Sequence, residues 1–179
     1  MIKKLLTALI LPLFAATALM AQDKPKKGAA KKDAPPTYVT YPDLPSFNIR
    51  LLDSFTVYNT FNIPKGKPVL LVLFDPDCKH CKDLTRVFME KKDSLADIDM
   101  YWMTLNSSMT LTRQFYDDFH FRDLKNLKII GRDYEFFFID YFKPQHTPGL
   151  VLYDENKKYV KFWDGGTTVT ELYELTHKK

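Results

Sequence analysis

The sequence predicts an α/β fold in which a mixed central β-sheet is flanked by helices. A buried strand, a helix and a second buried strand follow one another in the middle of the chain, and this order requires a parallel strand pair. A hairpin of two alternating strands at 149–165 calls for antiparallel strands in the same sheet. Roughly 140 residues remain after the N-terminal segments, enough for one domain with a sizeable core.

The first 21 residues have the pattern of a secretory signal peptide. Two lysines precede an apolar stretch, and small residues follow it. We expect cleavage after Ala18 or Ala21 and a periplasmic or otherwise extracytoplasmic location. A retained membrane anchor is the alternative. It is disfavoured because the stretch is shorter than the roughly 20 residues that a span needs and contains Pro12.

Residues 22–43 are rich in Lys, Ala and Pro and predict a disordered linker ahead of a domain at 44–179. The formal net charge of the chain is +4, but the surplus lies in the first 36 residues, and from Thr37 onward it is −1. The predicted domain therefore has no basic excess, and we expect no nucleic-acid partner. A weak role of the linker at an anionic surface stays open.

The segment before the cysteines predicts a hairpin, a strand and a helix. Two alternating runs at 46–52 and 55–61 predict short paired strands, an extra N-terminal hairpin. The continuous apolar run 69–74 predicts a strand buried on both faces. A helical pattern runs from 76 to 92, with Leu84, Val87 and Phe88 on its apolar side, together with Cys81.

The segment after the cysteines predicts alternating elements that complete the sheet. The predicted elements are a buried strand at 97–105, a helix at 111–119, a brief extended piece at 127–130, a helix at 133–142, a loop at 143–148, the hairpin at 149–165 and a last helix at 167–179 with a threonine cap.

The two cysteines of the chain, Cys78 and Cys81, stand where the first buried strand gives way to its helix. A disulfide that closes a two-residue gap adds little stability, so the pair is poorly placed as a structural staple. At a helix N-terminus the two thiols lie close enough to join, and the helix dipole favours a thiolate. We predict that Cys78 attacks a disulfide and that Cys81 resolves the mixed disulfide.

The residues around the pair modulate the acidity of Cys78. Lys79 and a protonated His80 favour the thiolate, whereas Asp75 and Asp77 oppose it. The sequence alone does not determine whether these effects together lower or raise the pKa of Cys78.

A metal site is the alternative for the same cysteines. Cys78, Cys81 and His146 could together bind copper if the loop that holds the histidine packs beside the helix start. A closed zinc site, which needs four ligands, is less well supported. We otherwise expect no metal and no cofactor beyond a redox-active disulfide between Cys78 and Cys81.

From about Leu44 the chain resembles the thioredoxin superfamily, and within it the exported TlpA/ResA-like thiol–disulfide oxidoreductases. The resemblance is carried by the N-terminal hairpin, the strand–CxxC–helix unit and the later sequence TPGLVLYDENKKYV. It implies a thioredoxin-like fold and an enzyme that exchanges disulfides with protein thiols. It also implies that Pro148 is a cis-proline facing the cysteines and that the backbone of Thr147 pairs with a substrate peptide.

Several positions depart from the thioredoxin pattern. Asp77 replaces a tryptophan, and Val72 stands where a buried proton-relay carboxylate is usual. The histidine before Cys81 resembles oxidising members, whereas the N-terminal hairpin resembles reducing ones. We slightly prefer reduction of substrates by a monomer that a membrane or periplasmic redox partner recycles. A binding module that kept the fold but lost the chemistry is the other alternative.

Overall fold

A seven-stranded mixed sheet with helices on both faces forms the centre of the protein. The computed structural model describes residues 34–177, so the predicted signal peptide and most of the predicted linker lie outside the described residues. The strands are β1 (Asn48–Leu51), β2 (Val57–Asn59), β3 (Val69–Phe74), β4 (Asp99–Thr104), β5 (Leu127–Arg132), β6 (Gly149–Tyr153) and β7 (Tyr159–Asp164). The helices are α1 (Thr37–Thr40), α2 (Lys79–Glu90), α3 (Met109–Asp118), α4 (Phe137–Phe142) and α5 (Val169–His177).

The strand order is β2-β1-β5-β4-β3-β6-β7. β3, β4 and β5 are parallel neighbours, whereas β6 and β7 add to β3 in antiparallel fashion. The predicted N-terminal hairpin β1–β2 is present and extends the opposite edge through β5. The mixed sheet that the sequence predicts is therefore confirmed. Within 34–177, no helix has both the length and the apolar character that crossing a membrane requires.

β3 is an interior strand of the sheet, between β4 and β6, and all six of its residues are buried. Alternate side chains of a strand point to opposite faces, so its run of apolar residues serves two cores. Leu70, Val72 and Phe74 belong to the core beneath α2 and α5. The intervening residues of β3 belong to the core beneath α4. This two-sided burial explains why the strand reads as a continuous apolar run.

α2 packs on the first core through a stripe that includes Cys81, Leu84 and Phe88, as predicted. Val87 is different, because 43% of its surface is exposed. Its predicted place in the core is taken by Thr85, which is fully buried and whose hydroxyl donates to the Cys81 carbonyl at 2.7 Å. The buried stripe thus follows positions i, i+3, i+4 and i+7 from Cys81, and Val87 falls outside it.

The N-terminal boundary of the folded domain lies earlier than the predicted residue 44. Tyr38 in α1 packs in the second core, within 5.1 to 6.3 Å of four aromatic ring centroids. Asp43 forms an isolated bridge with Lys158, and their side chains form an ion pair at 2.6 Å. Residues 37–43, which the composition assigns to the linker, are therefore part of the fold. They are held there partly because Tyr38 packs against aromatic rings of the second core.

The helix predicted at 133–142 begins only at Phe137. Asp133 is fully buried, and its carboxylate accepts the N–H groups of Phe137 at 3.1 Å and Phe138 at 2.7 Å. Phe136 has a φ of 58°, in the left-handed region that ends regular structure. The predicted helix is thus shortened at its N-terminus, where the Asp133 carboxylate accepts the first two helical N–H groups.

A substitution at Tyr38 tests whether residues 37–43 stabilise the domain. We expect Tyr38→Ala to lower the free energy of unfolding by about 1–2 kcal/mol, because the ring leaves its aromatic contacts. Tyr41→Ala is the matched control, since that ring is 68% exposed. Urea unfolding measures both, and equal stability of the two variants would place residues 37–43 outside the cooperative fold.

Candidate active site

The sheet brings together two loops that are distant in sequence. β3 and β6 are antiparallel, and Leu73 near the end of β3 pairs with Gly149 at the start of β6. The segment that follows β3 contains Cys78, and the segment that precedes β6 contains Thr147 and Pro148. The two segments therefore meet at one edge of the sheet.

A tight turn leads from β3 into α2. The Asp75 carboxylate accepts the N–H of Asp77 at 2.9 Å, and the N–H of Cys78 donates to the Asp75 carbonyl at 3.0 Å. The helix consequently begins at Lys79, three residues later than the pattern at 76 predicts, and Cys78 is its N-cap. The Cys78 sulfur accepts the N–H of Cys81 at 3.4 Å, as an N-cap side chain does.

Cys78 is the half-buried, acidic thiol of the pair, and both cysteines are free thiols in the structure. The Thr147 hydroxyl donates to Sγ of Cys78 at 3.5 Å, and Sγ lies 3.6 Å from the Thr147 carbonyl oxygen. Burial, the largest single influence, acts to raise the pKa of Cys78. The hydrogen bonds from Thr147, Cys81 and the His80 N–H together outweigh it, so the pKa is lowered below that of an ordinary thiol.

Cys81 is fully buried one turn further along α2. Its sulfur accepts the N–H of Asp75 at 3.4 Å. Burial raises the pKa of Cys81 to about 12. The pair thus consists of a partly accessible thiol with a lowered pKa and a buried thiol with a raised pKa.

Lys79 and His80 lie beside the pair, but the hydrogen bonds of the Cys78 sulfur in the described structure are with Thr147 and Cys81. The Lys79 ammonium forms an ion pair with Asp83 at 2.6 Å, with 83% of the lysine side chain exposed. His80 is also exposed, and its backbone N–H contributes to the lowered pKa of Cys78. Backbone donors at the helix start therefore do what the sequence analysis assigns to charged side chains.

The structure does not assemble the copper site considered for Cys78, Cys81 and His146. The His146 imidazole instead lies 3.3 Å from the Asp164 carboxylate, on the surface. Across residues 34–177, no group of three or more His, Cys, Asp or Glu side chains is arranged to hold a metal ion. The sequence shows that His146 lies close to Pro148, but it does not predict the interaction of His146 with the Asp164 carboxylate.

The Thr147–Pro148 peptide bond is cis, and Pro148 is buried. Next to it lies a cavity of about 450 Å³ between α2 and the turn that follows β7. Its lining includes His80, Val87 and Gly166. The sequence does not predict two contributions to the site. One is the Thr147 hydroxyl, since the resemblance implies a role only for the backbone of that residue, and the other is the Asp164 carboxylate.

A CxxC pair at a helix N-terminus beside a cis-proline, on a mixed sheet flanked by helices, is the arrangement that the resemblance to the thioredoxin superfamily implies. A family model described as a thioredoxin-like domain matches residues 62–178. The chain belongs to this thioredoxin-like family, and the predicted fold is confirmed. No curated protein matches the chain in sequence comparison.

Solved structures with a similar fold include one protein named as secreted and one named as an exposed lipoprotein. A secreted Mycobacterium tuberculosis disulfide oxidoreductase homologous to E. coli DsbE is 15% identical with a TM-score of 0.57, covering 72% of this chain and 92% of its own. StoA from Bacillus subtilis is 20% identical with a TM-score of 0.52, covering 75% and 98%. The exposed lipoprotein thioredoxin Etrx1 from Streptococcus pneumoniae is 20% identical with a TM-score of 0.57, covering 73% and 98%. At these identities the neighbours show that the fold is shared.

Removing the Thr147 hydroxyl tests its role at the sulfur. We expect Thr147→Val to raise the pKa of Cys78, because a donor to the thiolate is lost, and to slow alkylation of Cys78 at pH 7 about three- to tenfold. The measurement is the pH dependence of iodoacetamide labelling of the reduced protein, with mass spectrometry to locate the label. Thr147→Ser keeps the hydroxyl and is the control. An unchanged rate in Thr147→Val would show that the hydroxyl does not act on the sulfur.

Proposed function

We propose that the protein is an extracytoplasmic thiol–disulfide oxidoreductase in which Cys78 attacks and Cys81 resolves. One observation carries the proposal: an accessible thiol with a lowered pKa stands at a helix N-terminus, with a buried thiol one turn behind it. Such an asymmetric pair suits sequential attack, since the first thiol ionises more readily than an ordinary cysteine and the second is withheld from solvent.

In the reducing direction the reaction has two steps. The Cys78 thiolate attacks one sulfur of a substrate disulfide, forming a mixed disulfide and releasing a substrate thiolate. Cys81 then attacks the Cys78 sulfur, and its proton passes to the released thiolate. The second substrate sulfur leaves as a thiolate and takes up a proton from solvent, which replaces the proton that Cys78 lost on ionising. The substrate gains two electrons and two protons, and the protein retains a Cys78–Cys81 disulfide. Oxidation of a dithiol substrate is the same sequence in reverse.

The proposed substrates are protein thiols and disulfides. The backbone of Thr147 lies beside the Cys78 sulfur, where an extended substrate peptide could pair with it during the exchange. The apolar cavity next to Pro148 offers space for a neighbouring substrate side chain. After each reduction the disulfide must be reduced again, and we assign this step to a membrane or periplasmic redox partner. We propose that the protein acts as a monomer.

Export of the protein is part of the proposal. The pattern of residues 1–21 favours it, as do the structural neighbours named as secreted or exposed proteins.

Insulin reduction by dithiothreitol tests the activity. We expect the wild-type protein to accelerate precipitation of the insulin B chain and Cys78→Ser to abolish the acceleration, because the attacking sulfur is gone. Cys81→Ser should instead accumulate a mixed disulfide with the substrate, visible on non-reducing gels. A wild-type rate no faster than that of Cys78→Ser would leave the fold as a binding module without the chemistry.

The reduction potential tests the preferred direction. We expect equilibration with glutathione to give a value closer to that of thioredoxin, about −270 mV, than to that of the oxidant DsbA, about −120 mV. The expectation follows from the resemblance to reducing members through the N-terminal hairpin β1–β2. A value near the upper end would mean that the protein oxidises its substrates, because its reduced form is then the stabilised one.

A further inference from the structure

Asp164 fastens the loop that precedes the cis-proline. One oxygen of its carboxylate, Oδ1, accepts the N–H groups of Gln145 at 3.0 Å and His146 at 2.7 Å. The other oxygen, Oδ2, lies 3.3 Å from Nδ1 of the His146 ring. Burial acts to raise the pKa of Asp164, but these donors together lower it, so the carboxylate is ionised at neutral pH. The loop residues just before Thr147 are thus tied to the end of β7.

The same end of β7 also holds the loop from its other side. Asp164 pairs with Gly149 in the β6–β7 ladder, and the N–H of Gly165 donates to the Pro148 carbonyl at 3.0 Å. Gly165 has a φ of 104°, which a residue with a side chain rarely adopts, so the chain can turn there directly after Asp164. Thr147 is consequently bracketed by two attachments to one short segment.

We propose that Asp164 is a positioning residue, which holds residues 145 and 146 so that the hydroxyl and carbonyl of Thr147 face the sulfur of Cys78. The hydrogen bonds of the Asp164 side chain in the described structure are to Gln145 and His146, and none is to a cysteine. It acts through Thr147, which lies within hydrogen-bonding distance of Cys78 Sγ. The inference deepens the proposed function, since it rests on Cys78 being the attacking thiol.

The sign of the effect separates positioning from direct electrostatics. A carboxylate that acted on Cys78 only through its charge would disfavour the thiolate, and removing it would make the thiol more acidic. A carboxylate that positions the Thr147 donor has the opposite effect, because its removal frees the loop and weakens the bond to the sulfur. The two mechanisms therefore predict changes in opposite directions.

The experiment compares iodoacetamide labelling of Cys78 across pH in reduced protein without substrate. We expect Asp164→Ala to slow labelling at pH 7 about threefold or more, because the donor to the thiolate is weakened. Asp164→Asn should stay within about twofold of wild type, because its amide oxygen can accept both N–H groups that Oδ1 accepts. Asp164→Leu, close to asparagine in shape but without an acceptor, repeats the test if the alanine variant does not fold.

Two controls isolate the mechanism. Asp154 accepts the N–H groups of Asn156 and Lys158 at 2.9 and 2.8 Å, at the other end of the same hairpin. Asp154→Ala therefore removes an equivalent pair of bonds, and we expect it to leave labelling unchanged. In a Thr147→Val background, Asp164→Ala should add no further slowing, because the donor is already absent.

Unchanged or faster labelling in both Asp164→Ala and Asp164→Leu would overturn the proposal. So would equal slowing in Asp164→Asn, or additive slowing in the double variant. Because labelling needs no turnover, a protein inactive towards insulin would still give a clear result. The failure of this inference and the failure of the proposed function are thus separately visible.

Discussion

The antiparallel pairing of β3 with β6 is the constraint on which the candidate site depends. It places the carboxyl end of one strand beside the amino end of the other, through the pair Leu73–Gly149. Whatever follows β3 must therefore lie next to whatever precedes β6. The cysteine pair and the Thr147–Pro148 segment meet for this reason, although almost 70 residues separate Cys78 from Thr147 in the chain. The segment between them, β4 to α4, completes the sheet and its second core.

The inequality of the two thiols follows from where α2 begins. The turn through Asp75 makes Cys78 the N-cap, so its sulfur meets free N–H groups and the Thr147 hydroxyl at the rim of the fold. Cys81, three residues further along α2, lies in the core on the same buried face of the helix as Leu84 and Phe88. One turn of helix thus separates an environment that stabilises a thiolate from one that excludes it. No charged neighbour is needed to produce this difference.

Features that depend on residues close together in the sequence could be predicted. Features that depend on which residues two paired strands bring together could not. The strand β3 and the helix that follows were visible because their periods are local, and the Thr-Pro segment was recognisable through the family resemblance. Asp164 was not predictable in its role, because its partners lie 18 residues away and meet it only through the pairing of β6 with β7. Tyr38 was missed for a similar reason, since a single aromatic residue in a polar segment gives no periodic signal. The late start of α4 depends on hydrogen bonds to the Asp133 carboxylate. The spacing of apolar residues contains no information about these bonds.

The core beneath α2 contains tryptophan residues, whose fluorescence depends on their surroundings. The chain has two tryptophans, and both Trp102 and Trp163 belong to the buried cluster that contains Cys81. Trp163 stands opposite Leu150 in the β6–β7 ladder, one residue from the pair that includes Asp164. Both indoles therefore lie in the same apolar cluster as the Cys81 sulfur. Intrinsic fluorescence is thus a candidate readout for the state of the cysteine pair that needs no attached dye.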